Sequence, residues 1–187
     1  MRVTANRFWQ LVRVVSVISL MSGVALAAGV AKPAAADPIT ITHGFLKNAD
    51  SGDCIYVPNN SNLSGTKLEM SHCRTSPADT FEEWYSYSVG NGRYSINPAN
   101  NTGLCMDIIG SSHITFTRVE QWTCTGGLNQ QFYFQHWSTS PAGYYQLRVS
   151  HDGQCLDLEP SWRWPVQNNC RSNLDRYDSQ NWIIINN

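Results

Sequence analysis

The sequence predicts an all-β protein, and three observations support that prediction. Clusters of Gly, Asn, Ser and Pro interrupt the chain about every ten residues, as at Pro58–Asn62 and Asn97–Asn101. The runs between the clusters are short, and Trp84–Val89 and Tyr145–Val149 alternate apolar or aromatic with polar side chains. Such runs between turn residues are typical of β-sandwiches and β-barrels. Six cysteines and an internal repeat complete the pattern. A single helical turn is expected only at Asp175–Ser179.

Three kinds of landmark recur at a nearly constant interval of about fifty residues. The first cysteines are Cys54, Cys105 and Cys155, the second cysteines are Cys73, Cys124 and Cys170, and the closing aromatic residues are Trp84, Phe132 and Trp182. A fixed period in separate landmarks predicts a repeated architecture. Six cysteines permit many pairings. The repeat selects the set that closes a loop inside each repeat, Cys54–Cys73, Cys105–Cys124 and Cys155–Cys170. The closing aromatic residues are expected in the core.

The first 36 residues have the composition of a secretory signal peptide. Three arginines precede an apolar run from Val14 to Val30, and small residues follow at Ala34–Ala36. This order is typical of exported proteins. The alternative is an uncleaved anchor, but the apolar run is short for a membrane span. We expect cleavage before Asp37, one domain over residues 37–187 with no further membrane span, and a secreted, extracellular protein with oxidised cysteines.

Composition and motifs argue against several classes of function. Charged residues make up 14% of the chain and the formal net charge is −1, so no electrostatic footprint for nucleic acid is expected. The sequence contains no C-x-x-C, H-E-x-x-H, G-x-S-x-G or phosphate-binding glycine loop, and its five histidines are scattered. Only Asp107 and Glu120 offer a carboxylate pair of the glycosidase kind. We expect a monomer that is not an enzyme and has no cofactor or metal site.

The third repeat is one strand short at its end. Only Ile183–Asn187 follow Trp182, whereas Leu46 precedes its cysteine at nearly the same distance as Ile96 and Leu147 precede theirs. The N-terminal strand is therefore expected to supply the missing partner. Pairing of the chain ends in one sheet would remove free strand edges.

Several of these motifs also carry a family resemblance. C-M-D with V-E-Q-W-T-C and N-Q-Q-F in the middle repeat, and C-L-D with S-Q-N-W in the third, resemble the ricin-type β-trefoil lectins. The resemblance covers Ile39–Asn187. It implies a disulfide-stabilised β-trefoil of three repeats with pseudo-threefold symmetry, and it implies carbohydrate binding.

The middle repeat contains every part that a sugar site needs. By resemblance, Asp107 accepts hydroxyls, Trp122 is the stacking platform, and Asn129 hydrogen-bonds the sugar, while Gln130 either positions Asp107 or contacts ring hydroxyls. Glu120 stands where the family often has a polar contact. A carboxylate accepts strong charge-assisted bonds, an amide both donates and accepts, and an aromatic ring stacks on the C–H face. Structural alternatives exist, since Asp107 can cap a turn, and Trp122 can be buried with Gln121 facing solvent.

The third repeat keeps part of this set. Asp157 and Gln180 are present and are assigned to carbohydrate binding, but Ser179 replaces the amide and Asn168 replaces the aromatic residue. Trp162 or Trp164 is the candidate substitute platform. Both Gln130 and Gln180 can instead be structural residues of the Q-x-W type.

The first repeat departs furthest from the pattern. Tyr56 occupies the acid position, Ser71 the aromatic position and Phe81–Glu82 the amide positions. Without an acceptor or a platform, no sugar binding is expected there. The sequence therefore predicts a non-catalytic carbohydrate-binding protein for a galactose-type sugar or a polysaccharide. The competing interpretation is a protein-binding trefoil, such as a protease inhibitor or an accessory toxin subunit.

Overall fold

The computed structural model describes residues 43–74, 80–136, 143–161, 163–172 and 178–186. Its strands are β1 (Gly44–Asn48), β2 (Asp53–Tyr56), β3 (Thr66–Lys67), β4 (Glu69–His72), β5 (Glu83–Gly90), β6 (Arg93–Pro98), β7 (Leu104–Ile108), β8 (Val119–Thr123), β9 (Phe132–Gln135), β10 (Tyr144–Val149), β11 (Cys155–Leu158), β12 (Pro165–Asn168) and β13 (Trp182–Asn186). Short 3₁₀ helices lie at Pro58–Asn60, Thr80–Glu82, Ile109–Ser111 and Leu128–Gln130. Within these ranges the chain has no α-helix, so the predicted all-β class is confirmed.

Two sequence predictions fall largely where the structure gives no description. The signal peptide over residues 1–36 lies outside the described residues, as does most of the helical turn expected at Asp175–Ser179. Across the part of the chain that is described, no helix has the length and apolar character needed to cross a bilayer.

Six strands form a closed antiparallel ring. β1 pairs with β5 and β13, β13 pairs with β10, β10 pairs with β9, β9 pairs with β6, and β6 pairs with β5. The register of β1 against β13 runs from Gly44 opposite Asn186 to Asn48 opposite Trp182. The predicted pairing of the chain ends is thereby confirmed. A closed barrel has no free edge strand on which another chain can pair.

Three hairpins project from this barrel, and each contains one disulfide. They are formed by β2 with β4, β7 with β8, and β11 with β12. The bonds are Cys54–Cys73, Cys105–Cys124 and Cys155–Cys170, which are the predicted pairs. In the chain-entropy account each loop of this length adds about 3 kcal/mol of stability. The short strand β3 extends the middle hairpin by pairing with β8.

The closing aromatic residues lie in the core, as predicted. Trp84, Phe132 and Trp182 are fully buried among apolar side chains from the barrel and the hairpins. The Trp84 indole N–H donates to the Ile55 carbonyl at 3.0 Å, and the Trp182 N–H donates to the Leu156 carbonyl at 3.1 Å. Each indole therefore joins a barrel strand to a hairpin strand, and its own buried N–H is paired.

Candidate functional site

The middle hairpin places its acid and its indole on one face. In the register of β7 against β8, Asp107 lies opposite Glu120 and Cys105 lies opposite Trp122. Residues opposite each other on antiparallel strands share a face, and so do residues two apart. A cavity of about 300 Å³ opens on this face. It is lined by Asp107, Gly110, Ser111, Glu120, Trp122, Thr125, Asn129 and Gln130. All five residues predicted for this site therefore meet in one pocket.

Two amides fix the orientation of the Asp107 carboxylate. Its Oδ2 accepts from Gln130 Nε2 at 2.7 Å and from Asn129 Nδ2 at 2.9 Å. The side chain is 4% exposed. Since both described amides hold the same oxygen, Oδ1 is the atom left to accept from a ligand. Asp107 was also considered as a turn cap, but the described contacts of its carboxylate are with these two side-chain amides.

The pocket electrostatics are those of two neighbouring buried carboxyls. Burial raises the pKa of Asp107, and the hydrogen bonds from Gln130 and Asn129 partly offset that rise. Burial also raises the pKa of Glu120, where the Asp107 charge adds to the effect and Lys67 opposes it. Burial disfavours the charged form of each acid, and two adjacent negative charges disfavour it further. Hydroxyl donors from a ligand would relieve that cost.

Gln130 is a positioning residue. Besides its bond to Asp107, its Nε2 donates to the Thr123 carbonyl at 3.0 Å, and its Oε1 accepts from the Thr125 N–H at 2.8 Å. The side chain is buried, with its donors and its acceptor all in use. Of the two roles predicted for Gln130, the structure supports positioning of Asp107.

Asn129 combines a positioning contact with access to the pocket. Its Nδ2 donates to Asp107 and also to the Ile108 carbonyl at 3.3 Å. Its Oδ1 lies beside Gly127, where an added Cβ would stand 2.6 Å away. Asn129 lies on the short 3₁₀ helix Leu128–Gln130, so one turn delivers both amides to the acid.

Trp122 faces the pocket and not the core. Its side chain is 44% exposed, whereas Gln121 is fully buried, so the interpretation that buried Trp122 and exposed Gln121 is wrong. Gln121 Nε2 donates to the carbonyls of Ser61 and Leu63, at 2.8 and 2.9 Å. Those two bonds hold a loop of the first repeat against β8, and the alternation of the strand then points Trp122 outward.

The same loop also packs against the Trp122 indole. The Gly65 N–H donates to the Gln121 carbonyl at 2.8 Å. A Cβ at Gly65 would lie 3.2 Å from Trp122 Cζ3, and the residue has φ of +87°, a conformation that favours glycine. Three residues that line the pocket were not predicted, namely Gly110, Ser111 and Thr125, and neither was Gly65, which contacts the indole. Gly65 lies in another repeat, so no local motif could identify it.

Comparison with known proteins identifies the architecture. The family model for ricin-type beta-trefoil lectin domain-like proteins matches residues 80–163. The predicted resemblance to the ricin-type β-trefoil lectins is confirmed. No curated protein matches the sequence.

Solved structures show the same fold at low sequence identity. The chain resembles ThreeFoil, a designed 3-fold symmetric protein, with 23% identity and a TM-score of 0.68 over 78% of this chain and 99% of that one. It resembles an exo-beta-1,3-galactanase from Clostridium thermocellum, with 22% identity and a TM-score of 0.66 over 77% of this chain and 30% of that one. It also resembles Polyporus squamosus lectin bound to a human-type influenza-binding epitope, with 19% identity and a TM-score of 0.61 over 76% and 48%. The chain thus spans less than two thirds of the last two proteins.

The third hairpin has an acid whose oxygens are both in use. Asp157 is 2% exposed, and its Oδ2 accepts from Gln180 Nε2 and Asn168 Nδ2, both at 3.0 Å. Its Oδ1 accepts from the Ser179 hydroxyl at 2.6 Å. Arg171 Nη2 lies 3.1 and 3.2 Å from the two oxygens. Asp157 and Gln180 meet as predicted, and their role in sugar binding stays a prediction.

Arg171 is the residue that sequence reasoning missed in this hairpin. It directly follows Cys170, and its N–H donates to Gln180 Oε1 at 2.8 Å, as the Thr125 N–H donates to Gln130 in the middle hairpin. Of the two candidate platforms, Trp162 lies outside the described residues. The Trp164 ring is covered by the Arg118 guanidinium, 4.4 Å from its centroid.

The first hairpin has no acid at the position of Asp107. The Tyr56 hydroxyl donates to Glu69 Oε2 at 2.9 Å, at the register position that pairs Asp107 with Glu120 in the middle hairpin. Glu82 is fully buried and accepts from the Arg74 N–H at 2.6 Å, so it takes the structural part of the Q-x-W glutamine. These contacts explain how the hairpin keeps its shape without a carboxylate at position 56.

Proposed function

We propose that this chain is a secreted, non-catalytic lectin whose middle repeat binds a galactose-type sugar or a polysaccharide of such sugars. Its fold is a β-trefoil in which pseudo-threefold symmetry relates the three repeats. One observation carries the proposal. A carboxylate fixed by two amides and a half-exposed indole line the same pocket, as a sugar with a hydroxyl rim and a C–H face requires.

Each pocket residue has a defined part in this binding mode. Asp107 Oδ1 accepts from ring hydroxyls, because Oδ2 is already held by Gln130 and Asn129. Trp122 stacks on the C–H face of the sugar. Because the indole packs against Gly65, it has few rotamers in the free protein and loses little conformational entropy on binding. Asn129 and Glu120 supply further polar contacts at the rim. Charge-assisted hydrogen bonds are about twice as strong as neutral ones, so Asp107 should dominate the affinity.

Placement of the two carboxylates favours binding over hydrolysis. Glycosidases set their two carboxyl groups on either side of the scissile bond. Here Asp107 and Glu120 lie opposite each other on paired strands and so form one wall of the pocket.

A single strong pocket implies modest affinity for a monosaccharide. The first hairpin lacks the acid, and in the third Asp157 is already bonded to Arg171. Only linked sites gain from effective concentration, so one pocket on a monomer should bind a sugar unit in a polymer about as tightly as the free sugar. We infer that the working form is a monomer that meets its sugar on a surface or a polymer.

A glycan array comparing four forms of the protein tests this function. Asp107→Ala and Trp122→Ala should each abolish a signal that the unmodified protein gives. Ser71→Ala is the matched control, because Ser71 holds the register position of Trp122 in the first hairpin and should leave binding unchanged. Circular dichroism should show the same folded spectrum for all four. An array with no signal from the unmodified protein would overturn the proposal.

Protein binding, as by a protease inhibitor or an accessory toxin subunit, is the competing function. Three exposed apolar side chains on loops favour it, namely Leu63, Ile114 and Phe116. Indole fluorescence separates the two functions. A response of Trp122 to millimolar sugar supports the lectin, whereas sugar-insensitive fluorescence together with a specific protein complex lost on Leu63→Ser supports the competitor.

A further inference from the structure

Two histidines and an aspartate that are far apart in the sequence meet beside the middle hairpin. His113 lies in the loop after the Ile109–Ser111 turn, and His151 and Asp152 lie in the turn between β10 and β11. His151 Nε2 is 3.3 Å from Asp152 Oδ2, and His113 Nδ1 is 3.9 Å from the same oxygen. One ligand atom from each residue falls within 4.8 Å of the others. The sequence showed these histidines as scattered, and the fold brings them together.

These separations are close to the spacing of ligand atoms around a transition-metal ion. Zinc binds imidazole nitrogen and carboxylate oxygen at about 2.0–2.2 Å in a tetrahedron, which places neighbouring ligand atoms roughly 3.3–3.5 Å apart. The observed 3.3 Å meets this spacing, whereas the 3.9 Å separation and the 4.8 Å bound on all three pairs require the His113 ring to turn toward the other two ligands. The His113 side chain is 71% exposed, so that turn has room.

The other two donors are held in place by the fold. The side chains of His151 and Asp152 are 8% and 6% exposed. Asp152 accepts from the N–H and the side-chain amide of Gln154, at 2.9 and 3.0 Å, and the same amide donates to the His113 carbonyl at 2.8 Å. Gln154 thus ties the two loops together. A metal site gains when contacts in a second layer fix the orientation of its ligands.

His151 carries the observation that points to a ligand. Its Nε2 lies 2.8 Å from the Ser112 carbonyl, and its Nδ1 is buried without a hydrogen-bond partner among the described residues. Buried imidazole nitrogens are normally paired. The nitrogen near Asp152 is Nε2, so metal binding there requires Nε2 to release the Ser112 carbonyl and places the ring proton on the unpaired Nδ1.

We propose that His113, His151 and Asp152 form a binding site for a divalent transition-metal ion of the zinc type. Two imidazoles and one carboxylate suit zinc, copper or nickel, whereas calcium and magnesium prefer sets of oxygen ligands. The three protein ligands leave a fourth position for water. The expectation from sequence that the protein has no metal site is replaced by this proposal.

Calorimetric titration of the chelator-treated protein with Zn²⁺ at neutral pH tests the site. We expect saturable binding of one ion per chain, and His113→Ala should weaken it by at least about tenfold. That variant alters an exposed side chain, so loss of fold cannot account for the result. His72→Ala removes an exposed histidine of the first hairpin and should change nothing.

Histidine NMR spectra of the same samples provide the second measurement. Zn²⁺ should shift the ring nitrogens of His113 and His151 and leave those of His72 unchanged. Absence of saturable binding, or an affinity that His113→Ala does not alter, would overturn the proposal.

Discussion

Replacing Gln130 with alanine should cost the fold much more than the same change at its neighbour Gln131. Gln130 makes a charge-assisted bond to Asp107 and two bonds to backbone groups of Thr123 and Thr125. A bond to a charged group contributes about 1.5–3 kcal/mol, and a buried group left unpaired costs about 1–3 kcal/mol. Allowing for water that enters the space, the free energy of unfolding should fall by roughly 4 kcal/mol. A domain of this size has roughly 5–15 kcal/mol in total.

Gln131→Ala is the matched control. Gln131 is nearly as buried, but its side chain donates one described bond, to the Gly126 carbonyl at 2.9 Å, and its Oε1 has no partner among the described residues. Its loss should cost about 1 kcal/mol. Urea denaturation followed by tryptophan fluorescence measures both variants. Equal losses of stability in the two variants would refute the reasoning that Gln130 holds the acid in place.

Three further predictions address the other contacts. Arg171→Ala should lower the free energy of unfolding by about 1–2 kcal/mol, because it removes the cation that pairs with buried Asp157. The loss stays modest because the arginine side chain is half exposed and its charge is screened by solvent. Thermal denaturation measures the loss. Sugar affinity should be highest when Asp107 is ionised and should fall as the pH drops through the pKa of that carboxyl. Because burial raises this pKa, the loss of affinity should begin at a higher pH than for an ordinary aspartate. A dissociation constant that does not change with pH would contradict this prediction. Gly65→Ala should weaken sugar binding several-fold, because the added methyl group displaces the Trp122 indole. Gly92→Ala is the control in the same titration. It introduces the same kind of backbone strain, at φ of +71°, but has open space around it and should leave sugar binding unchanged.

The fold was predictable because its landmarks are local and repeated. The interval between Cys54, Cys105 and Cys155 gave the hairpins and the disulfide pairs, and the short tail after Trp182 gave the pairing of β1 with β13. Strand alternation alone could not decide whether Trp122 or Gln121 faces the core. That choice depends on the carbonyls of a loop in the preceding repeat, which bond the Gln121 side chain.

The parts of the site that sequence reasoning missed are contacts between distant segments. Gly65 supports the indole from another repeat, and His113 meets His151 only after two loops come together. Arg171 had a weak signal, since an arginine follows the second cysteine of the first repeat as well, at Arg74. The position of Arg171 in the sequence did not indicate that its guanidinium contacts Asp157, because that contact depends on where β11 places the acid.

The crystal structure of the protein with the sugar that binds best on the array tests the central claim most directly. We expect the sugar in the middle-hairpin pocket, with one C–H face on Trp122 and two hydroxyls within hydrogen-bond distance of Asp107 Oδ1. A sugar bound elsewhere on the molecule, with the pocket of Asp107 and Trp122 filled only by water, would contradict the account.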